Sequence, residues 1–359
     1  MSRAFDPITV GRMELGNRIV MAPMTRSRAN GADQTATPLM AEYYVQRAGA
    51  GLIITEGTQP SVIGQGYPNT PGLHSEAQID AWRKVTSAVH DAGGLICAQL
   101  MHTGRIGHPD LYQEPLTPVG PSAVAAGGSA FTAEGFKAFV NPEPLSPQDI
   151  TTTTEDFAAA ARNAITAGFD GVEVHGAHGY LPHQFMSTNA NQRDDEWGGS
   201  VEGRIRFTVA VSRAVADAIG PDRVGLRVSP ANPFNDIVED GHVETYPALV
   251  RALNPLGLAY LHVAETTDPA LTPQLRALWD GVFMLNPATP GSHTGPEALK
   301  LIDDGAADLV SFARLFISNP DLPVRLAAGG PYTEPDMSKA YGGDHRGYTD
   351  YPPLVLSAA

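Results

Sequence analysis

The chain has 359 residues, 42% of them hydrophobic, and a formal net charge of −15. This size suits two domains or one large α/β barrel, and the acidic balance disfavours nucleic acid as a partner, because binding phosphates needs a basic face. No apolar run approaches the roughly 20 residues that cross a bilayer, and no signal peptide is evident, so we expect a cytoplasmic protein without a membrane partner.

Short apolar segments alternate with segments of helical periodicity along most of the chain. The predicted strands are residues 18–24, 52–55, 95–100, 171–174, 223–228, 259–263, 282–285 and 309–311. The predicted helices are residues 37–47, 75–92, 154–167, 201–219, 245–253, 272–279, 296–303 and 320–326. Alternation of this kind predicts a parallel sheet. Eight such units, with no G-x-G-x-x-G motif after the first strand, predict an α/β fold in which residues 1–359 form a single domain, a closed (β/α)8 TIM barrel.

Residues 105–149 interrupt this alternation between the third predicted strand and the third predicted helix. The segment is rich in proline and glycine and has no helical period. A long insertion of this composition predicts a hairpin or lid over a site, rather than a separate domain.

Polar side chains follow the fourth predicted strand, where a parallel barrel builds its site. His175, His178 and Tyr180 leave this strand close together. Two neutral imidazoles could clamp a substrate oxygen, and the phenol of Tyr180 could donate a proton. Alternatively, His183 could join the two histidines as a metal ligand, or both histidines could be structural. These residues alone leave the three interpretations open.

The loops after the seventh and eighth strands are the phosphate-binding position of many barrels. Here they are residues 286–295 and the stretch from Ser311 to Arg314. Backbone N–H groups at a helix start and a nearby arginine favour a phosphorylated ligand, although Arg314 read alone could be a surface residue. Arg227, inside the fifth strand, predicts an inward partner, either the anionic edge of a reduced flavin or a carboxylate such as Glu173.

Several longer motifs together resemble a known family. They are APMTRSRA (22–29), PLMAEYYVQRAGAGLIITEGT (38–58), GYPNTPGLHS (66–75), AQLMHTGRIGH (98–108), HGAHGYLPHQFMSTNANQRDDEWGGSVEGR (175–204), GLRVSP (225–230), ARLFISNPDL (313–322) and YGGDHRGYTDYP (341–352). These stretches are distributed over nearly the whole chain, and they resemble the Old Yellow Enzyme family of FMN-dependent ene-reductases. Because it carries Thr25, the chain resembles the subgroup that has Thr, rather than Cys, at this position.

The resemblance implies non-covalently bound FMN, no metal, and a role for each matched residue. The implied catalytic residues are His175 and His178, which bind the activating group of the substrate, and Tyr180, which donates a proton. The implied substrate-lining residues are Tyr67, Met101 and Tyr341. The implied cofactor-binding residues are Pro23, Met24, Thr25, Gly57, Gln99, Arg227, Gly291, Ser292, Ala313 and Arg314.

The resemblance also implies a ping-pong NAD(P)H oxidoreductase acting on small-molecule alkenes. NADPH or NADH reduces the flavin, whose N5 then gives hydride to Cβ of an α,β-unsaturated carbonyl, imide or nitro compound while Tyr180 protonates Cα. A narrower alternative is a reductase chiefly of nitro compounds or nitrate esters. An alternative from another class is a metal-dependent barrel hydrolase using His175, His178 and His183. We expect a monomer or a homodimer.

Three positions depart from the family pattern. Met101 stands where relatives commonly carry an aromatic residue, which implies a roomier cavity. Residues 286–295 are richer in proline than the usual phosphate loop, so the phosphate contacts there stay open. Ala313 stands where glycine is usual, which is compatible with the fold if its φ is negative.

Overall fold

Eight parallel strands form a closed barrel in the computed structural model, which describes residues 2–114, 116–289 and 292–355. The predicted (β/α)8 barrel is therefore confirmed. Each strand pairs with its neighbours in the chain, and the last pairs with the first to close the barrel. The barrel strands are β1 (Ile19–Met21), β2 (Leu52–Thr58), β3 (Ile96–Leu100), β4 (Gly171–Gly176), β5 (Val224–Val228), β6 (Tyr260–Ala264), β7 (Val282–Asn286) and β8 (Leu309–Phe312).

Helices follow each barrel strand and cover the outside of the barrel. The α-helices are α1 (Pro38–Val45), α2 (Glu76–Asp91), α3 (Pro147–Thr166), α4 (Leu181–Met186), α5 (Val201–Ile219), α6 (His242–Leu253), α7 (Leu271–Leu278), α8 (Leu299–Asp303), α9 (Arg314–Ser318) and α10 (Leu322–Ala328). The short helices α4 and α9 lie outside the predicted helices. The 3-10 turns are Arg3–Phe5, Val62–Gly64, Gly104–Ile106, Pro109–Leu111, Pro221–Arg223, Asn254–Leu256, Pro296–Ala298 and Met337–Lys339.

The third helix begins earlier than predicted. Ser146 is its N-cap: the Ser146 Oγ accepts from the Asp149 N–H at 3.2 Å, and Asp149 Oδ2 accepts from the Ser146 N–H at 3.0 Å. This is a reciprocal capping box, and Pro147 occupies the first helical position, where it needs no N–H partner. The prediction of a start at residue 154 was wrong, because this capping signal lies inside the segment taken as the insertion.

The insertion between β3 and α3 contains a β-hairpin. Ser129–Thr132 pairs antiparallel with Gly135–Ala138, and Val119–Gly120 pairs with Glu143–Pro144. Phe131 is 53% exposed and Phe136 77% exposed, and both line the mouth of a cavity above the barrel. The hairpin therefore overhangs the face at which the strands end.

An N-terminal hairpin, outside the predicted elements, precedes the barrel. Ile8–Val10 pairs antiparallel with Met13–Leu15. Val10, Met13 and Leu15 pack with barrel residues in a separate buried cluster that includes Val20 and Tyr260. Burying this apolar surface stabilises the barrel. No helix in the described ranges combines the length and the apolar character that a membrane span requires.

Candidate active site

The strand register brings polar side chains to one level inside the barrel. His175 of β4 is opposite Arg227 of β5, and Arg227 is opposite His262 of β6. Glu173, two residues before His175 on the same face of β4, is opposite Gln99 of β3. The level lies near the carboxyl ends of the strands, where barrel enzymes place their sites.

Two adjoining cavities lie above this level. The inner one, about 210 Å³, is lined by Pro23, Thr25, Gly57, Gln99, Met101, His175, His178, Tyr180, Arg227 and Phe234. The outer one, about 770 Å³, shares Pro23, Thr25, Tyr180 and Phe234 with it and adds Met24, Tyr67, Ala313, Arg314 and Tyr341, among others. Fourteen predicted site residues, from segments far apart in the chain, thus line one continuous space.

Two predicted cofactor residues are not part of this group. Ser292 is exposed, and its N–H donates to the Thr289 carbonyl at 3.0 Å. Gly291 lies outside the described residues. Phosphate contacts by these two residues therefore stay a prediction. Ala313 has a φ of −99°, so an alanine fits at this position without strain.

A tight turn connects β4 to α4 and carries His178. His178 has a φ of +54° and Gly179 a φ of +77°, both left-handed. The His178 N–H donates to Ser229 Oγ at 2.8 Å, and Asn235 Nδ2 donates to the His178 carbonyl at 2.8 Å. The turn folds the chain back on itself, so that the rings of His178 and His175 have centroids 5.5 Å apart.

His175 and His178 are neutral hydrogen-bond donors. Burial lowers the pKa of both imidazoles well below 6.5, and the charge of Arg227 acts in the same direction. The Nδ1 of His175 is buried and has no partner among the described residues. A neutral imidazole carries one N–H. The pair can therefore offer two N–H groups to a ligand oxygen without placing a positive charge in the cavity.

Tyr180 lies beside the two imidazoles. Its ring centroid is 5.0 Å from that of His175, and its hydroxyl oxygen is 2.8 Å from the hydroxyl oxygen of Tyr67. Burial, assisted by Tyr67, raises the pKa of Tyr180 well above 10. The phenol is therefore protonated at neutral pH and can donate to a strongly basic carbon.

Arg227 has no direct carboxylate partner in the described parts of the chain. Its Nη2 donates to Asn286 Oδ1 at 3.2 Å, while its Nε is buried and meets no acceptor in the described ranges. Glu173, one of its two expected partners, instead lies 2.8 Å from His262 Nδ1 and accepts from Gln99 Nε2 at 2.8 Å. Arg227 therefore does not pair directly with Glu173, which was one of its two predicted partners.

Glu173 and His262 form a buried pair at the base of the inner cavity. Burial acts to raise the pKa of Glu173, but the hydrogen bonds from His262 and Gln99 and the charge of Arg227 keep it below the ordinary value. Burial lowers the pKa of His262, whose Nε2 lies 2.9 Å from Ser311 Oγ. We assign an ionised carboxylate and a neutral imidazole. Sequence reasoning missed His262, although a histidine inside an apolar strand is a signal of a buried partner.

The inner cavity fits an isoalloxazine ring. A flavin presents hydrogen-bond acceptors at N1 and O2 and a donor at N3. The unpartnered Arg227 Nε is a buried donor, and Gln99 keeps its carbonyl oxygen as an acceptor after its amide has bonded to Glu173. A Cβ at Gly57 would lie 2.4 Å from Met101 Cε and 2.5 Å from Met101 Sδ, so a side chain there would displace Met101. The donor of Arg227 and the acceptor of Gln99 suit the edge of a flat heterocycle of this kind.

His183 does not converge with the other two histidines. Its Nδ1 accepts from the Gly179 N–H at 3.0 Å, and its Nε2 lies 3.1 Å from Glu239 Oε2. In the described ranges, no group of three or more His, Cys, Asp or Glu side chains is arranged to hold a metal ion. Both ring nitrogens of His183 are thus occupied, which removes the ligand that the hydrolase alternative needed.

A parallel barrel with these donors at its strand ends defines a class, the flavin-dependent oxidoreductases. Residues 3–332 match the NADH:flavin oxidoreductase / NADH oxidase family. Similar proteins include a chanoclavine-I aldehyde reductase of Penicillium roqueforti, 41% identical over 98% of this chain and 96% of that protein. A probable FMN-dependent alkene reductase of Leishmania infantum is 41% identical over 96% of both chains.

Solved structures agree with this match. The Old Yellow Enzyme homologue of Zymomonas mobilis superposes with a TM-score of 0.94 at 40% identity, over 98% of this chain and 99% of that one. Morphinone reductase, also solved in complex with tetrahydroNAD, superposes with a TM-score of 0.93 at 40% identity, over 98% and 96% of the two chains. The chain belongs to the NADH:flavin oxidoreductase / NADH oxidase family, which confirms the resemblance to Old Yellow Enzyme and its cofactor, FMN.

Proposed function

We propose that this protein is an ene-reductase that uses NADH or NADPH to reduce the C=C bond of α,β-unsaturated carbonyl, imide or nitro compounds. One observation carries the proposal: two neutral imidazoles and a protonated phenol face the same cavity as the flavin-compatible Gln99 and Arg227. Similar proteins named as an alkene reductase and a 12-oxophytodienoate reductase support it.

FMN, when bound, supplies the two-electron chemistry, taking hydride from the nicotinamide and passing it to the β-carbon of the alkene. His175 and His178 donate N–H groups to the oxygen of the activating group. Negative charge develops on this oxygen in the transition state, so donors already aimed at it stabilise that state more than the ground state.

Tyr180 completes the reduction by donating its phenolic proton to the α-carbon. Hydride at one carbon and a proton at the other account for the two hydrogens that the product gains. Tyr67, bonded to the same hydroxyl, can return a proton to Tyr180 from the more open outer cavity. A general acid of this kind contributes roughly 10²- to 10⁴-fold in rate.

The mouth of the site suits an apolar small molecule. Phe131, Phe136 and Phe234 line the outer cavity together with Tyr67 and Tyr341, and aromatic walls favour apolar or flat ligands. We propose that small-molecule alkenes are the substrates and that the protein works in the cytoplasm.

Replacing Tyr180 by Phe tests this function. In stopped-flow measurements of Tyr180→Phe, reduction of the flavin by NAD(P)H should proceed, while reoxidation by a weakly activated enone should fall about 100-fold or more. The matched control is Tyr112→Phe, because Tyr112 is a buried tyrosine whose hydroxyl donates to the Ile63 carbonyl, away from the cavity. Equal losses in both half-reactions would refute the role of Tyr180.

The substrate range separates the broad function from the narrower one. We expect the wild-type protein to reoxidise its reduced flavin with a cyclic enone and with a nitroalkene, since both carry an oxygen for the histidine pair. Turnover of nitro compounds or nitrate esters alone would support the narrower reductase. A purified protein without flavin absorbance near ~450 nm would overturn both.

A further inference from the structure

A buried histidine–carboxylate pair lies directly behind the turn that carries His178 and Tyr180. His183, on α4, has its Nε2 3.1 Å from Oε2 of Glu239, with side-chain exposures of 0% and 2%. Glu239 belongs to the loop between β5 and α6. Neither residue lines the substrate cavities described above, so the proposed chemistry gives this pair no direct role.

Three donors converge on Glu239. Its Oε2 accepts from the Ala231 N–H at 2.8 Å and faces the Nε2 of His183, while its Oε1 accepts from the Tyr246 hydroxyl at 2.8 Å. A carboxylate can accept from all three, because it offers acceptors only. A glutamine in its place would turn an NH2 group towards at least one of these donors. Burial acts to raise the pKa of Glu239, but these hydrogen bonds keep it below the ordinary value, so the position favours an ionised glutamate.

The Gly179 N–H and the Glu239 carboxylate together determine the tautomer of His183. The Nδ1 of His183 accepts from the Gly179 backbone N–H at 3.0 Å. An accepting nitrogen carries no hydrogen, so the hydrogen of the neutral ring lies on Nε2, which faces both Glu239 Oε2 at 3.1 Å and the Tyr246 hydroxyl oxygen at 3.2 Å. Without the carboxylate, the other tautomer would place an N–H against the N–H of Gly179 and open the turn.

Gly179 separates the two side chains that the turn presents. Gly179 and His178 are consecutive left-handed residues, and such a backbone needs its surroundings to hold it. The hydrogen bond to His183 holds the peptide between them, while Gln184 Nε2 donates to the Gly179 carbonyl at 2.7 Å. A change of tautomer at His183 would therefore act on His178 and Tyr180 together.

We propose that Glu239 and His183 are positioning residues of the active site: the carboxylate holds His183 with its hydrogen on Nε2, and the free Nδ1 then holds the left-handed turn that aims His178 and Tyr180 into the cavity. The proposal rests on the ene-reductase function argued above. It extends the site to the β5–α6 loop and to α6. In the proposed mechanism these segments contribute only Phe234, which lines the cavity.

Glu239→Gln is the first test, with Glu244→Gln, an exposed carboxylate on α6, as its matched control. For each variant, the rate constant for reoxidation by a cyclic enone is measured per bound flavin, together with the dissociation constant of a phenol titrated against the oxidised flavin. We expect Glu239→Gln to lower that rate constant about 10- to 100-fold and to weaken the phenol about ten-fold, the cost of a displacement of roughly 1 Å. Glu244→Gln should match wild type.

Reoxidation by ferricyanide is measured in parallel, because this acceptor takes electrons without using the histidine pair or Tyr180. We expect this rate to stay within about two-fold of wild type in Glu239→Gln. Such a result would show that the loss of enone activity arises at the turn that carries His178 and Tyr180, and not at the flavin. A role in general stability alone would lower FMN content and the melting temperature, but would leave the per-flavin enone rate and the phenol affinity unchanged.

Substitutions at His183 provide a rescue and protect the test against misfolding of Glu239→Gln. Asparagine places its Oδ1 where the Nδ1 of histidine lies and has no tautomer to be set, whereas phenylalanine fills the space without an acceptor. His183→Asn should retain most of the enone rate, and His183→Phe should lose it. In the His183→Asn background, Glu239→Gln should lower the enone rate constant less than about three-fold. The smaller loss in the double variant would show that the two residues act together, because independent residues would give the same loss in both backgrounds.

Nitrogen-15 spectra of protein labelled in the histidine rings provide a readout that does not depend on activity. The signal that His183→Asn removes should report a hydrogen on Nε2 in the wild type, and a mixture of tautomers should appear in Glu239→Gln. Wild-type enone rates, phenol affinity and tautomer in Glu239→Gln would overturn the proposal. A wild-type protein that binds FMN but reduces no activated alkene would instead refute the proposed function.

Discussion

The hydroxyl oxygens of Tyr67 and Tyr180 lie 2.8 Å apart, although 113 positions separate the two residues in the chain. Tyr180 is buried beside His175, whereas Tyr67 is only partly buried and lines the outer cavity. The contact therefore connects the proposed proton donor to the more open part of the site. It also contributes to the raised pKa of Tyr180, after the larger effect of burial.

Replacing Tyr67 by Phe should leave a working proton donor with a lower pKa. Burial of Tyr180 persists in Tyr67→Phe, so we expect the enone rate at neutral pH to fall less than about ten-fold, far less than in Tyr180→Phe. The alkaline limit of the rate should move to lower pH, because one of the causes that raise the pKa of Tyr180 is gone. Stopped-flow rates between pH 8 and pH 11 measure both effects. A loss in Tyr67→Phe equal to that in Tyr180→Phe would instead make Tyr67 the donor.

The oxidative half-reaction should be insensitive to pH over a wide range. The pKa values of His175 and His178 lie well below 6.5, mainly through burial, so both imidazoles stay neutral until the solution is well below that pH. Tyr180 stays protonated until the pH is well above 10. We expect a constant rate of reoxidation by a cyclic enone from pH 6.5 to pH 10, measured per bound flavin. A titration inside this window that His178→Asn abolishes would contradict the neutral state of the pair.

Removing the buried charge of Glu173 should make the bound flavin easier to reduce. The carboxylate is held at the base of the inner cavity by Gln99 and His262, and a nearby negative charge opposes the negative charge of a reduced flavin. Glu173→Gln keeps an acceptor for Gln99, and His262 can change tautomer to accept from the new amide. We expect the midpoint potential to rise by roughly 30 mV or more, where 30 mV of a two-electron couple corresponds to about 1.4 kcal/mol.

Dye-equilibrated reductive titration measures this potential, and the control is Glu42→Gln, an exposed carboxylate on α1. The control should leave the potential unchanged. An unchanged or lower potential in Glu173→Gln, with FMN fully bound, would show that the charge of Glu173 is not felt at the ring.

Glu56, next to Gly57, should make stability depend on pH. The side chain is fully buried, and burial raises its pKa from 4.5 to about 7 despite the opposing effect of the Arg26 N–H and charge. A carboxyl whose folded-state pKa is raised binds its proton more tightly in the folded state. Its contribution to stability is therefore complete below pH 4.5 and is lost as the pH rises to about 7. The loss is on the order of 3 kcal/mol, at about 1.4 kcal/mol per pKa unit.

Glu56→Gln has no proton to lose, so its stability relative to wild type should increase between pH 5 and pH 8. Melting temperatures of both proteins at saturating FMN measure the effect, and we expect the difference to shift by a few degrees in favour of the variant. A difference that is the same at both pH values would mean that Glu56 titrates outside this range.

Much of the fold was predictable because its signals are local. Each barrel strand is an apolar run of a few residues, and each long helix repeats its apolar positions every turn, so windows of the sequence carry the pattern. Capping residues set boundaries in the same way: Thr37 and Ser75 accept from the N–H groups of Met40 and Gln78 at the starts of α1 and α2. The start of α3 was misplaced even though its capping box was present, because the surrounding proline and glycine suggested a loop.

The motif from His175 to Tyr180 was equally visible, because the chemistry-bearing residues lie within one turn of chain after a strand. Residues that meet only when the barrel closes could not be recognised from the sequence in this way. Glu173 and His262 meet across 89 positions, and His183 meets Glu239 only because α4 packs beside the loop after β5. Burial lowers the pKa of His262, while the partners of Glu173 and Glu239 keep the pKa of each carboxyl below its ordinary value against the effect of burial.

The sequence by itself thus determined the eight-fold alternation, the side chains at the strand ends and the family. Only the tertiary structure decided that one nitrogen of Arg227 has no partner among the described residues while Glu173 pairs with His262, and that His183 accepts a hydrogen bond from Gly179 rather than joining a group of metal ligands. The physical reason is that periodicity and capping depend on neighbours in the chain. The partner of a buried polar group depends on which distant segments exclude water from it.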